Sequence, residues 1–313
     1  MLTENKKVSY TKSSLFMDTV VSLKVITTKP SAEVNNCMYM AFQAFRKVED
    51  VCSRFNQESE VMQLLNHARV PIVVSDILFE TIRFAYEVAK LTKGVFDPTV
   101  GCTLESYGFN RHYLTRNKIE SNLDPTTPVS YKDIVLNNEY KTVLLKKPLI
   151  IDLGAVAKGF AIDLAAKALS QFEGYLVDAG GDIYAGGLNE EDELWSIGIR
   201  NPLNTDHTIH TLKVSNMAVC TSGNYERVSP NDENKQHLIN PSTGKTAKDS
   251  ISSTVLAPFA MMTDAFSTVA FILGKEDGIK LLEDHDINGI IITPSLSSYM
   301  TKEMEDYLYD ENK

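Results

Sequence analysis

Two stretches of this chain place polar groups where a phosphate or a metal ion could be held. The first reads Ile151-Asp152-Leu153-Gly154-Ala155-Val156-Ala157-Lys158-Gly159-Phe160-Ala161. It joins an apolar run, expected to be a strand over Leu149 to Leu153, to a glycine-containing break, a lysine and a helix-compatible run to about Leu169. Glycine lets backbone approach a ligand closely, and a helix N-terminus presents free N–H groups to an anion. The second stretch reads Met262-Thr263-Asp264-Ala265-Phe266-Ser267-Thr268. Asp264 and Thr268 are four residues apart, so a helix puts them on one face. A carboxylate and a hydroxyl there, with a backbone carbonyl, make a hard-oxygen set suited to Mg²⁺.

Each stretch also has a plainer reading. The first is neither a Rossmann GxGxxG nor a Walker A loop, so Lys158 by itself reads as a solvated side chain after a turn. Asp264 by itself offsets a helix dipole. Asp178-Ala179-Gly180-Gly181-Asp182 reads equally as a backbone-amide nest facing a phosphate or as a bulged turn between strands. His237, beside Asn240-Pro241, reads as a general base, a ring-stacking partner or a structural histidine. Met17 and Phe55 are apolar neighbours of polar turns, for which core packing is the default.

The elements that must position these groups follow from periodicity. Val20 to Val25 partly alternates, as a half-buried strand does. Ser31 caps a helix whose stripe is Val34, Met38, Ala41, Phe45, Val48 and Cys52. Ser59 caps a short helix through Asn66, and Ser75 to Lys93 forms another that stops at Gly94. The segment from Ser106 to Pro128 is polar and reads as a long surface loop with some helix. Ile134 to Leu136 and Thr142 to Leu145 form a hairpin. Strands follow around Tyr175, Ile183, Trp195, Thr208, Met217, Ser253, Ile287 and Ser297. Thr263 to Leu273 is a helix ended by Gly274, and Asp277 to Asp284 is the next. Strands gather after residue 130 and helices before 95, which defines an α+β chain with intertwined halves.

Bulk properties narrow the partners. The 313 residues are 43% hydrophobic and 23% charged, with a formal net charge of −10. That acidity and the lack of a basic block argue against nucleic acid. Cys37, Cys52, Cys102 and Cys220 show no zinc-ligand spacing and are expected as free thiols. No run is long enough to span a membrane, and Met1 to Lys12 lacks the apolar core of a signal peptide. A cytoplasmic location is expected; an extracytoplasmic lipoprotein whose leader had been removed would present the same sequence.

Taken together and in order, the segments resemble the ApbE family, the FAD:protein FMN transferases. The matching pieces are Met17-Asp18-Thr19, Ser53-Arg54-Phe55-Asn56, Gly94-Val95-Phe96-Asp97-Pro98-Thr99-Val100-Gly101 and Asp152 to Gly159. They continue with Asp178 to Asp182, Ile199-Arg200-Asn201-Pro202, Thr221 to Arg227, His237 to Pro241 and Thr263 to Thr268. The resemblance spans roughly residues 15 to 295. It implies a T-fold-like α+β architecture of two interleaved subdomains, with mainly antiparallel sheets flanked by helices. A single catalytic domain is expected over residues 15–300, with a flexible extension at 1–14 and a polar tail at 301–313.

The resemblance further implies that FAD is the substrate and binds between the subdomains, touching Met17, Phe55, Val95, Phe96, Asp97, Asp152, Lys158, Asp178 and Leu238. Mg²⁺ would be held by the Ala155 carbonyl, Asp264, Ser267 and Thr268. The acceptor would be a flavoprotein with an Asp-x-x-Thr-like motif, whose hydroxyl takes FMN while AMP leaves. His237 is the candidate base, because an imidazole titrates near neutrality. A Mg²⁺-dependent FAD pyrophosphatase and a non-catalytic FAD carrier are the alternatives. Three positions depart from the family pattern: Asp18 where glycine is common, Phe55 where tyrosine is frequent, and Asn240 where aspartate is frequent.

Overall fold

Alternation along the second strand decides which way the molecule faces. Val21, Leu23 and Val25 have no exposed surface and point to one side, while Ile26 points to the other. The strand is β2 (Thr19–Thr27), which pairs with β1 (Val8–Phe16). The structure, a computed structural model, describes residues 6–224, 236–241, 245–246 and 249–309. Helices α1 (Ser31–Cys52), α2 (Glu60–Asn66), α3 (Asp76–Leu91) and α4 (Gly101–Ser106) follow, with β3 (Ile72–Val73) between α2 and α3. Next come the hairpin β4 (Ile134–Asn137) and β5 (Thr142–Leu145), helix α5 (Gly154–Leu169), and β6 (Gly174–Ala179) with β7 (Asp182–Gly187). The remaining elements are β8 (Trp195–Asn201), β9 (Asn204–Val214), β10 (Met217–Gly223), β11 (Ile239–Asn240), β12 (Lys245–Thr246), β13 (Ser252–Ala257), α6 (Ala260–Glu283), β14 (Asn288–Ile292) and β15 (Ser298–Met300).

Eight strands form one antiparallel sheet in the order β1-β2-β6-β7-β10-β13-β14-β15. One face carries α1, α5 and α6 over the larger core. The other carries the β8–β9 hairpin over a smaller core that includes Trp195, Ile197, Leu212 and Met304. A three-stranded sheet, β3-β5-β4, sits apart. The α+β class and the antiparallel pairing agree with the sequence reading. The α1 stripe is buried as its spacing requires, and Ser59 and Ser75 accept the amide protons of Met62 and Leu78 as N-caps. Gly94 ends the α3 region at φ +87°, and Gly274 breaks α6 at φ +81°.

Several expectations are corrected. Residues 8–14 are not a loose extension, because β1 pairs with β2 along its whole length. The C-terminal segment is anchored as well. Lys302–Tyr307 form a 3₁₀ turn with Met304 fully buried, and the Tyr309 amide donates to the Thr211 carbonyl. Leu149 to Leu153 form no strand. Their side chains are buried apart from Asp152, whose amide donates to the Pro98 carbonyl; an apolar run buried on all sides mimics a strand without a ladder. Ser31 is the first helical residue rather than the cap of α1.

Helices α5 and α6 cross where Gly159 meets Ala260. A Cβ on Gly159 would lie 2.3 Å from the Ala260 carbonyl oxygen and 2.6 Å from the Met261 Cα. These are backbone atoms, so one helix must move to admit a methyl group. Gly159→Ala is expected to lower stability by roughly 1–3 kcal/mol, the usual scale of overpacking. Urea unfolding measures this, and an unshifted midpoint would show that the helices do not cross so closely.

Candidate active site

A hairpin tip builds the first wall, and a second tip packs beside it. Met17 and Asp18 both have positive φ, 50° and 66°, between the paired residues Phe16 and Thr19. That is the two-residue turn whose twist suits a hairpin, and aspartate tolerates the left-handed conformation better than most side chains. Asp18 therefore occupies a backbone position that glycine fits without strain. Glu49 on α1 fixes the tip: one carboxylate oxygen accepts the Met17 amide and the Tyr113 hydroxyl, each at 3.0 Å. The second tip, Gly180-Gly181, joins Ala179 to Asp182 with both φ values positive. This resolves the Asp178–Asp182 segment as a tight hairpin turn rather than a bulge. Asp178 accepts the Gly181 amide at 2.8 Å, and burial pushes its carboxyl pKa up. Gly180 must be glycine for a second reason, because a Cβ there would meet the Thr19 hydroxyl at 2.2 Å.

The second wall is the start of α5 with the segments packed on it. Asp152 accepts the Gly154 amide at 2.8 Å and pairs with the Arg54 guanidinium, which also donates to the Phe109 carbonyl and lies over the Phe55 ring. One bidentate-capable cation thus ties together residues far apart in sequence. Asp97 is 7% exposed and its oxygens are already engaged. One accepts the Thr99 amide and hydroxyl, and the other accepts the Tyr131 amide. Burial still raises its pKa above the ordinary carboxylate value. Asp97 consequently shapes the loop that carries Val95 and Phe96.

The third wall joins α5, α6 and β10. Lys158 pairs with Asp182, whose other oxygen accepts the Thr221 amide at 3.0 Å. Asp264 accepts the Gly159 amide at 3.2 Å. Behind it, the Ser222 hydroxyl lies 2.8 Å from that of Ser267 and 3.1 Å from that of Thr268. Ser267 also donates to the Asp264 carbonyl at 2.8 Å.

These walls enclose a cavity of about 600 Å³. Met17, Phe55, Val95, Phe96, Asp97, Asp152, Ala155, Lys158, His237, Leu238, Asp264 and Thr268 all line it. Asp178 and Ser267 do not: Asp178 is spent on the hairpin turn, and Ser267 is fully buried behind Asp264. His237 presents its ring edge to Phe109, with centroids 6.3 Å apart. Sequence reasoning expected Asp178 to Asp182 to line the pocket, but Asp182 meets Lys158 from behind the lining; it left out Arg54 and Ser222, although both fall inside the matching segments. It also left out Arg111, Tyr113 and Arg116, which enter the cavity from the long polar loop without any periodic signal. Asn240 is described, but residues 225–235, which complete the segment begun by Thr221, lie outside the described residues.

The donor chemistry suits a hard cation. Among the described residues no cluster of three His, Cys, Asp or Glu side chains gathers. Asp264, Thr268 and Ala155 all line the cavity, and a four-residue spacing puts the first two on one face of α6. In a regular helix the Gly159 amide serves the Ala155 carbonyl, and here that amide also reaches Asp264. Mg²⁺ needs few protein oxygens, since it keeps waters and binds substrate phosphates.

The cavity is lined by cations, carboxylates and aromatic rings together, and the comparisons name the class. The ApbE family model matches residues 17–291. The chain belongs to the ApbE family. It is 30% identical over 267 residues to the FAD:protein FMN transferase of Haemophilus influenzae, covering 82% of this chain and 75% of that protein. It is 28% identical over 308 residues to the enzyme of the same name from Treponema pallidum, covering 91% and 84%. Its fold superposes on the crystal structure of the ApbE protein of Thermotoga maritima with a TM-score of 0.86 and 26% identity, covering 97% of this chain and all of that one. The flavin transferase ApbE of Vibrio cholerae, 24% identical, shares the fold at a TM-score of 0.82.

Two outcomes follow from the charges. Lys158→Met leaves the Asp182 side chain, 3% exposed, without its cation. The cost should be roughly 1–3 kcal/mol, below that of a fully buried pair because the lysine is 24% exposed. A double-mutant cycle with Asp182→Asn reads the coupling, and a value near zero would mean the pair is not formed. Asp163 on α5 accepts the Ala260 and Met261 amides at 2.7 and 2.9 Å, yet burial raises its pKa from 3.8 to about 6. The folded state then holds a proton that the unfolded chain releases, so the Asp163 contribution to stability falls as pH rises from about 4 to about 6. Melting temperatures of the parent minus those of Asp163→Asn should decline across that window, and a flat difference would mean an ordinary carboxyl.

Proposed function

We propose that the protein transfers FMN from FAD to a serine or threonine hydroxyl of an acceptor protein, releasing AMP. The observation that carries the reading is a cavity lined both by Asp264, Thr268 and Lys158 and by the aromatic and apolar side chains of Phe55, Phe96 and Leu238. The names of the Haemophilus and Treponema relatives support the same reaction. The isoalloxazine ring stacks against the apolar wall. The pyrophosphate, which carries about two negative charges, lies toward Lys158 and the start of α5, where a cation and helix amides oppose it. The acceptor hydroxyl oxygen attacks the phosphorus on the riboflavin side, and the bond to the bridging oxygen breaks as AMP leaves. His237 takes the hydroxyl proton. Mg²⁺, held by Asp264, Thr268 and the Ala155 carbonyl, would supply Lewis-acid stabilisation of the phosphoryl charge. Ser267, turned away from the cavity, orients Asp264 through its backbone. The acceptor carries an Asp-x-x-Thr-like motif.

The test is intact-mass spectrometry of an acceptor domain bearing that motif, incubated with protein and FAD, with Mg²⁺ or EDTA. A gain of one FMN only with Mg²⁺, lost when the acceptor threonine becomes alanine, is expected. Asp264→Ala should reduce transfer by at least 100-fold, on the scale of losing one electrostatic stabiliser of a transition state. Free FMN and AMP without any mass gain would instead indicate a pyrophosphatase.

A further inference from the structure

The first turn of α6 has a capping problem. Phe259, at its N-cap position, offers no side-chain acceptor, so the leading amides of the helix need one from elsewhere. Asp163, in the middle of α5, supplies both oxygens: one to the Ala260 amide at 2.7 Å and the other to the Met261 amide at 2.9 Å. These two residues are also the ones that Gly159 touches at the helix crossing. One turn further along α6 lies Asp264, which accepts the Gly159 amide, and one turn beyond that Thr268. The α5 helix therefore grips α6 twice from one face: by a carboxylate at the helix start and by an amide at the cavity. A carboxylate at a helix N-terminus also opposes the helix dipole, so the grip is electrostatic as well as directional.

We infer that Asp163 is a positioning residue for the metal-binding edge of the cavity, fixing the rotation and advance of α6 so that Asp264 and Thr268 meet the Ala155 carbonyl. Asp163 does not line the cavity and touches no substrate. It acts through the α6 backbone. The inference rests on the proposed Mg²⁺-dependent reaction. It adds that the affinity of the site for a divalent cation is set by a residue outside it. Asparagine keeps one acceptor oxygen and should hold one of the two amides; alanine holds neither. The effect is thus graded by the number of acceptors.

The experiment measures Mn²⁺ binding to the full chain by electron paramagnetic resonance, without FAD, for the parent protein, Asp163→Asn and Asp163→Ala. AMP release from FAD in the presence of the acceptor domain is followed against Mg²⁺ concentration in parallel. Phe45→Leu, a core change in α1 away from α6, serves as the control for lost stability. The Mn²⁺ dissociation constant is expected to rise about 3-fold in Asp163→Asn and at least 10-fold in Asp163→Ala. The Mg²⁺ concentration for half-maximal AMP release should shift in step, while Phe45→Leu lowers the melting temperature and leaves both unchanged. If the alanine variant does not fold, the asparagine variant carries the comparison. Dissociation constants within 2-fold of the parent in the Asp163 variants, or a shift equal to that of Phe45→Leu, would overturn the positioning role alone. Absence of both Mn²⁺ binding and AMP release in the parent would overturn the functional reading and this inference with it.

Discussion

The close crossing of α5 and α6 at Gly159 is the constraint on which the site depends. Only a residue without a side chain lets the two backbones approach so nearly, and that approach lets the Gly159 amide reach Asp264. Lys158 and Gly159 are neighbours, so the same crossing sets Lys158 beside Asp182 on β7. Lys158 and Asp264 thus enter the cavity from one helix–helix contact, with Asp182 on β7 behind the lysine. Core packing and chemistry are not separable here: the residues that hold the helices together are interleaved with those that face the cavity.

The sheet serves as the reference surface. Its helix-bearing face turns Val21, Leu23 and Val177 toward α1, α5 and α6, and its opposite face is closed by the β8–β9 hairpin. Because every neighbouring pair in it is antiparallel, tight hairpins deliver chain to one rim, and two of those hairpin tips lie side by side there through the β2–β6 pairing. The fold presents the Met17-Asp18 turn to the cavity from the sheet, and charged side chains such as Lys158 and Asp264 from the helices.

Much of this was legible before any coordinates. The helical stripe of α1, the caps Ser59 and Ser75, the breaks at Gly94 and Gly274, and the shared face of Asp264 and Thr268 all follow from spacing. What escaped was everything that depends on tertiary partners. Asp163 carries no local sign that it caps a helix nearly a hundred residues away. Its absence from the reading is why α6 was expected to begin at Thr263 rather than Ala260. Arg54 and Asp152 find each other only across the fold. Ser267 sits beside two site residues in sequence, but helical rotation turns it inward, a distinction that four-residue spacing makes for Thr268 and not for its neighbour. The apolar run before Asp152 looked like a strand because complete burial erases the alternation that separates strand from coil.

The two hairpin tips have one further consequence. A two-residue turn between fully paired strands has little slack: its ends are held by the ladder on both sides, and Glu49 accepts the Met17 amide at the first tip. Helices α5 and α6 are equally locked by their crossing. Among the described residues, the stretch 107–130, which contributes Phe109, Arg111, Tyr113 and Arg116, bounds the cavity without a helix or a strand ladder of its own. Its hold on that rim rests on side-chain and backbone contacts such as the Tyr113 hydroxyl on Glu49 and the Phe109 carbonyl on Arg54.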